Sequence, residues 1–108
     1  MKNIIHIPFN DWSKKRLKAK VKLATTRNKR YGKEGDTFIV HMEQVDYKFE
    51  LLAVFQLSLY DVASKLYYIE GAETPLAFRK VWEKIHPRSA WQPDKKVYVH
   101  LFRLIEVL

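Results

Sequence analysis

Residues 14–33 read KKRLKAKVKLATTRNKRYGK. Ten of these twenty are Lys or Arg and none is acidic, whereas the other 88 residues carry ten basic and twelve acidic side chains. The formal charge of +8 is therefore this segment's +10 less the 2 net negative charges of the rest. Cations concentrated in this way form an electrostatic footprint for phosphate polyanions. Within the run stand Lys22, Thr25, Thr26 and Arg27, an ordered set of polar groups able to bind a ligand or act on one.

Outward from this stretch the chain alternates strand and helix signals. Residues 2–8 form a short β-branched run, a first strand. Asn10 or Asp11 caps a helix over 11–20, whose thin apolar face is Trp12, Leu17 and Ala19. Residues 21–27 read as a second strand, with Leu23, Thr25 and Arg27 on one face. Residues 28–36 hold Gly–polar turn signals and form a loop. Residues 37–42 are a third strand, and a polar turn follows over 43–48. Over 48–58, Phe49, Leu51, Ala53, Phe55 and Leu57 alternate onto one face and Leu52 and Val54 onto the other. Both faces of this long strand are therefore expected to be buried.

Asp61 caps a short helix carrying Val62, Leu66 and Ile69, and a turn with Glu70 follows. Thr74 and Pro75 are an N-cap and first-turn pair for a helix over 75–86. Its stripe of Phe78, Val81, Trp82 and Ile85 is amphipathic, and Pro87 ends it. A polar loop over 88–95 leads to a last long strand over 96–107. The order β-α-β-β-β-α-α-β predicts a single α+β domain over 1–108, mainly β, with a small curled or closed sheet plugged by helices.

Composition narrows the chemistry. There is no cysteine, which removes disulfides, thiolate metal sites and a cysteine nucleophile. Three glycines in 108 residues argue against a phosphate-binding loop or a dinucleotide fold. His6, His41, His86 and His100 show no metal-ligand spacing, so neither a metal nor another cofactor is expected. With no leader-like or membrane-spanning run, the chain reads as a cytoplasmic protein, and a monomer is favoured. Lys14, Lys15, Arg16, Lys18, Lys20, Lys29, Arg30 and Lys33 are candidate phosphate contacts. Tyr31 and Trp91 are candidates for stacking on bases. Trp82, at helical spacing, reads as core.

The run KVKLATTR over 20–27 resembles the signature of the ASCH family, a branch of the PUA-like fold: Gly-x-Lys-x-x-x-x-Arg after the first helix. Lys22 and Arg27 fall on the signature lysine and arginine. Gly35-Asp36 matches the Gly-Asp that opens the next strand, and Glu70-Gly71 the Glu-Gly after the second helix. The aromatic helix around Trp82 and the ending His86-Pro87, Val97, Val99, Phe102 continue the resemblance. One position departs: Lys20 stands where the signature has glycine. A glycine there supplies a left-handed helix C-cap, so a lysine must leave the helix another way or bear strain.

The resemblance implies a PUA-like β-barrel whose cleft, between barrel and helices, is lined by the signature residues. It implies binding of RNA or a nucleotide, with DNA as the alternative polyanion. It also implies a second reading. Some small members are amidohydrolases that deacetylate N(4)-acetylcytidine through a Lys, a Thr three residues on and a Glu in the later turn. These fall on Lys22, Thr25 and Glu70. A ribonuclease using the same cleft, or a protein–protein adaptor, completes the set.

Overall fold

The computed structural model describes residues 3–108. Lys2, at the start of the predicted first strand, lies outside the described residues. The elements are β1 (Ile4–Ile5), α1 (Asp11–Lys18), β2 (Ala24–Arg27), β3 (Thr37–Met42), β4 (Val45–Ser58), α2 (Leu59–Lys65), α3 (Pro75–Ile85) and β5 (Lys96–Val107). The strands form one sheet in the order β1-β3-β4-β5-β2; β1 runs parallel to β3 and every other pair is antiparallel.

The expected barrel is not closed. β1 and β2 are the edges of the sheet and do not pair with each other. β1 pairs through two residues only, and Pro8, just beyond it, has no N–H to extend a ladder. The gap is filled by side chains instead. Ile7, Phe9 and Leu17, from the end of β1 through α1, pack with Phe38, Val40, Phe49, Leu51 and Phe102. Phe9, Phe38, Phe49 and Phe102 form a ring cluster with centroids 5.2–6.4 Å apart. A second core lies between the sheet and α2 and α3, where Leu59, Val62, Phe78, Trp82, Val97 and Val99 meet.

Strict alternation along β4 fails for an identifiable reason. Two register shifts interrupt its pairing with β5: Leu52 is extra on β4, and Ile105 is extra on β5. A bulge reverses the in–out sequence beyond it. Leu52 is thus 39% exposed and Phe55 36%, where two buried faces were expected. The bulge also lets β4 serve both cores: Phe49 and Leu51 face the aromatic cluster, and Leu57 packs against the helical one.

The helix ends follow local chemistry. The Asn10 side chain accepts the Ser13 N–H at 2.8 Å and caps α1. Thr74 accepts the Ala77 N–H at 3.0 Å, with Pro75 in the first turn of α3. Ser58, rather than Asp61, caps α2 by accepting the Asp61 N–H. That helix stops at Lys65, short of Ile69. At the end of α1, Lys20 adopts φ +62°, the conformation for which glycine is suited. Its N–H reaches the Leu17 carbonyl at 3.0 Å, and the Val21 N–H reaches the Arg16 carbonyl at 3.2 Å. This is the Schellman bonding pattern. The lysine keeps the left-handed cap and bears its strain. Among the described residues no helix is long and apolar enough to cross a membrane.

Candidate functional site

β2 enters the sheet through the turn after α2. The Leu23 and Ala24 N–H groups both donate to the Ile69 carbonyl, at 2.6 and 3.0 Å. This clamp sets the last bend before β2 against Glu70, three elements later in the chain. Lys22 precedes the strand, and its Nζ donates to the Glu70 main-chain carbonyl at 3.0 Å. It stands 3.8 Å from Glu70 Oε1. The same Oε1 accepts the Thr26 N–H at 3.0 Å. Gly71 follows at φ +92°, where a Cβ would meet those of Arg16 and Lys22 at 3.0 and 3.2 Å. Glycine is required there for close approach as well as for the backbone angle.

Lys22 and Glu70 are both buried, each side chain about 4% exposed. Burial pushes the Lys22 ammonium below the usual lysine range, against the pull of Glu70. Burial likewise pushes the Glu70 carboxyl above the usual carboxylate range, opposed by Lys22, Thr26 and Arg27. Each charge is weakened by its surroundings and sustained by the other. Two polar atoms are left over. Glu70 Oε2 and the Thr26 hydroxyl are buried and have no hydrogen-bond partner among the described residues. Such atoms cost free energy unless a water or a ligand satisfies them.

Both residues line a cleft of about 520 Å³ bounded by residues 8–13, β2 and its following loop, and α3. Lys22, Thr25, Thr26, Arg27, Lys29, Tyr31 and Glu70, all singled out from sequence, reach this cleft. Arg27 Nε donates to Thr25 Oγ1 at 3.0 Å, and its guanidinium lies 5.1 Å from the Phe9 ring centroid. Lys29 Nζ lies 4.9 Å from the Tyr31 ring centroid. Tyr31 is fixed by its N–H, which donates to His100 Nε2 at 2.9 Å. His100 Nδ1 meets the Thr25 carbonyl at 3.1 Å, so this ring carries its proton on Nδ1 and is neutral. Burial lowers its proton affinity, in keeping with that state.

Other predicted contacts lie elsewhere. Lys14, Lys15 and Lys18 border a separate, smaller depression with His41 and Glu43. There Lys18 is ion-paired to Glu43 at 2.7 Å. Arg30 donates to the Gly32 carbonyl, Lys20 caps α1, and neither borders the cleft. Trp91 is also outside it, packed on the helical core with Arg79 over its ring. The basic run is thus divided between two surfaces.

Among the lining residues not identified as site residues from sequence are the rings of Phe9, Trp12, Trp82 and His86. Trp82 is core, as expected, yet also forms cleft wall. His86 stacks on it with centroids 4.1 Å apart, its Nδ1 on the Trp82 carbonyl. The signal for Trp12 was its place opposite the basic face of α1. Lys22 Nζ lies 5.8 Å from its ring centroid. Among the described residues there is no cluster of three or more metal-ligating side chains.

The fold has counterparts among solved structures. The ASCH domain from Lactobacillus crispatus JV V101 superposes with a TM-score of 0.65 at 11% identity, covering 94% of this chain and 78% of that one. The chain has the ASCH fold. A DUF984 protein from Enterococcus faecalis V583 superposes at 0.66 and 16% identity, covering 99% and 77%. No family model and no curated protein matches the sequence. On the ASCH fold the expected landmarks hold their order. Gly35 and Asp36 open β3, and Asp36 accepts the Lys33 and Asn3 N–H groups.

Proposed function

We propose that the cleft holds one nucleotide unit of an RNA, or a free nucleotide, with its base between the aromatic walls and its phosphate toward Arg27 and Lys29. The supporting observation is the unpartnered pair of Glu70 Oε2 and Thr26 Oγ1 in a cleft bordered by Trp12, Trp82 and Tyr31. A carboxylate oxygen there calls for an N–H donor, which the amino-bearing edge of a base supplies. The cleft volume of about 520 Å³ falls in the range of small-molecule sites. Aromatic rings supply stacking of about 1–3 kcal/mol per base, and Arg27 offers paired N–H donors to phosphate oxygens.

Trp12 and Trp82 give the assay its signal. Titration with cytidine, adenosine and uridine monophosphates and with a short single-stranded RNA should quench tryptophan fluorescence to saturation. Arg27→Ala should weaken nucleotides about tenfold, and nucleosides much less. RNA affinity should fall with salt as counterions are released. Absence of quenching by every ligand up to millimolar concentration would sink the proposal.

Amide hydrolysis of an N-acylated cytidine is the second reading, and one contact favours it. Arg27 Nε donates to Thr25 Oγ1, which lowers the proton affinity of a hydroxyl needed as nucleophile. Lys22 would then stabilise the developing oxyanion and Glu70 would carry the proton. Incubation with N(4)-acetylcytidine, beside Lys22→Ala and Glu70→Ala, tests it. Turnover lost in both variants would support hydrolysis. Binding without turnover leaves the nucleotide-binding reading alone.

A further inference from the structure

β5 is longer than its neighbour on one side. β2 pairs with it only over Tyr98–Leu101, and the Leu23 carbonyl takes the Phe102 N–H at 3.1 Å. The chain at 21–22 then turns back to the end of α1, where the Val21 and Lys22 N–H groups both reach the Arg16 carbonyl. From Arg103 to Val107, β5 has β4 on one side and, among the described residues, no strand on the other. Every residue of this segment is exposed, and Leu104, Ile105, Val107, Leu108 and nearby Leu23 are apolar. Of the devices that keep such an edge from pairing it carries two charges, Arg103 and Glu106, and the bulge at Ile105, but no proline and no lysine.

The register of this edge identifies its occupant. Arg103 stands opposite Glu50, whose Oε1 accepts its Nε and Nη2 at 3.1 and 2.9 Å while the arginine side chain stays largely exposed, and Glu106 stands opposite Lys48. Glu50 and Lys48 are two residues apart and share a face. Because Ile105 is the extra residue of the bulge, Arg103 and Glu106 therefore share that face although they are three apart. A second β5 laid antiparallel about a two-fold axis between Leu104 and Ile105 brings each Arg103 opposite the other copy's Glu106. Without the bulge the paired charges would lie on opposite faces of the sheet. The segment is thus complementary to itself in charge, in face and in direction, as a two-fold contact requires.

We propose that β5 pairs with β5 of a second copy over residues 103–106, joining two five-stranded sheets into one. Leu104 and Ile105 meet at the centre, and Val107 comes against the exposed Leu23 of the other copy. A contact of this length is small, so the dimer is reversible, with a dissociation constant in the micromolar range.

Sedimentation velocity from about 1 to about 500 µM tests this. The native protein should shift from monomer to dimer across the range. Ile105→Lys, an exposed position outside both cores, should stay monomeric with unchanged thermal stability at low concentration. Glu106→Arg sets arginine against Arg103 twice per dimer and should weaken association about tenfold. Glu106→Gln removes the attraction without adding a repulsion and leaves Arg103 on Glu50, so it should weaken association less than Glu106→Arg does. A monomer at every concentration overturns the proposal. So does a dimer indifferent to both Ile105→Lys and Glu106→Arg.

Discussion

Replacing Lys20 by glycine should make this protein more stable. Lys20 sits at φ +62° inside a fully bonded Schellman cap, so the backbone is held in a conformation that a Cβ disfavours. That conformation costs an L-residue about 1–2 kcal/mol. Glycine removes the cost but brings back about 0.5–1 kcal/mol of unfolded-state freedom. It also removes a cation from a helix C-terminus, worth about 0.3 kcal/mol or slightly more at an exposed site. Lys20→Ala loses the same charge and keeps the strain, so it is the proper reference. Against it, Lys20→Gly should gain about 0.5–1 kcal/mol. With an unfolding entropy of about 2.1 cal/mol/K per residue, 108 residues give about 0.23 kcal/mol/K, hence about 2–4 °C in Tm. Calorimetry and urea unfolding of the three proteins measure it. A Lys20→Gly protein no more stable than Lys20→Ala would refute the strain. Because Lys20 does not border the cleft, ligand binding should be the same in all three.

Gly71→Ala should cost more than about 1 kcal/mol, because a Cβ at φ +92° meets Arg16 and Lys22; it should also weaken cleft ligands. Removing either partner of the buried pair, by Lys22→Met or Glu70→Gln, should cost about 3–5 kcal/mol near neutral pH in urea unfolding. Its pH dependence has opposite limbs. Folding raises the proton affinity of Glu70, so its contribution falls as pH rises above about 4.5 through the raised value. Folding lowers that of Lys22, so its contribution rises as pH climbs toward about 10.5. Glu70→Gln should erase the acid limb and Lys22→Met the alkaline one; unchanged limbs would deny the pair its shifted protons. His100 is the third group. Its lowered proton affinity means stability is lost as pH falls below about 6.5, and His100→Gln should flatten that loss in the same titration.

Sequence pattern exposed the elements because their signals are local. Asn10, Thr74 and Pro75 cap the helices they were expected to cap; of the α3 stripe, Phe78 and Trp82 are buried in the core, while Val81 and Ile85 border the cleft. It also singled out Lys22, Thr25, Thr26, Arg27 and Glu70, five residues that meet in one cleft although Glu70 lies 48 positions beyond Lys22. What it could not show depends on distant partners. Whether two sheet edges meet is set by how many residues each edge strand pairs. Leu52 and Ile105 become bulges only against each other's strands. Trp82 at helical spacing reads as core and is core; that its ring also walls a cleft depends on β2 stopping where it does. His100 looked like one more strand residue, yet both its ring nitrogens bond, one to the loop and one to β2.

The position of β5 in the sheet bears on how the protein is made. β4 and β5 lie side by side at the centre, yet α2, α3 and their loops separate them in the chain. Until residues 96–107 leave the ribosome, β2 has no neighbour in the sheet, and Thr25 and Thr26 cannot be set against His100 and Val99. A nascent chain can therefore form helices and the β3–β4 hairpin early, while its cleft waits for the last strand to thread between two waiting edges. Closing so long a loop is slow. In that interval the apolar flank of β4 is bare, and it is then, rather than in the finished fold, that the chain is most exposed to aggregation and to chaperones.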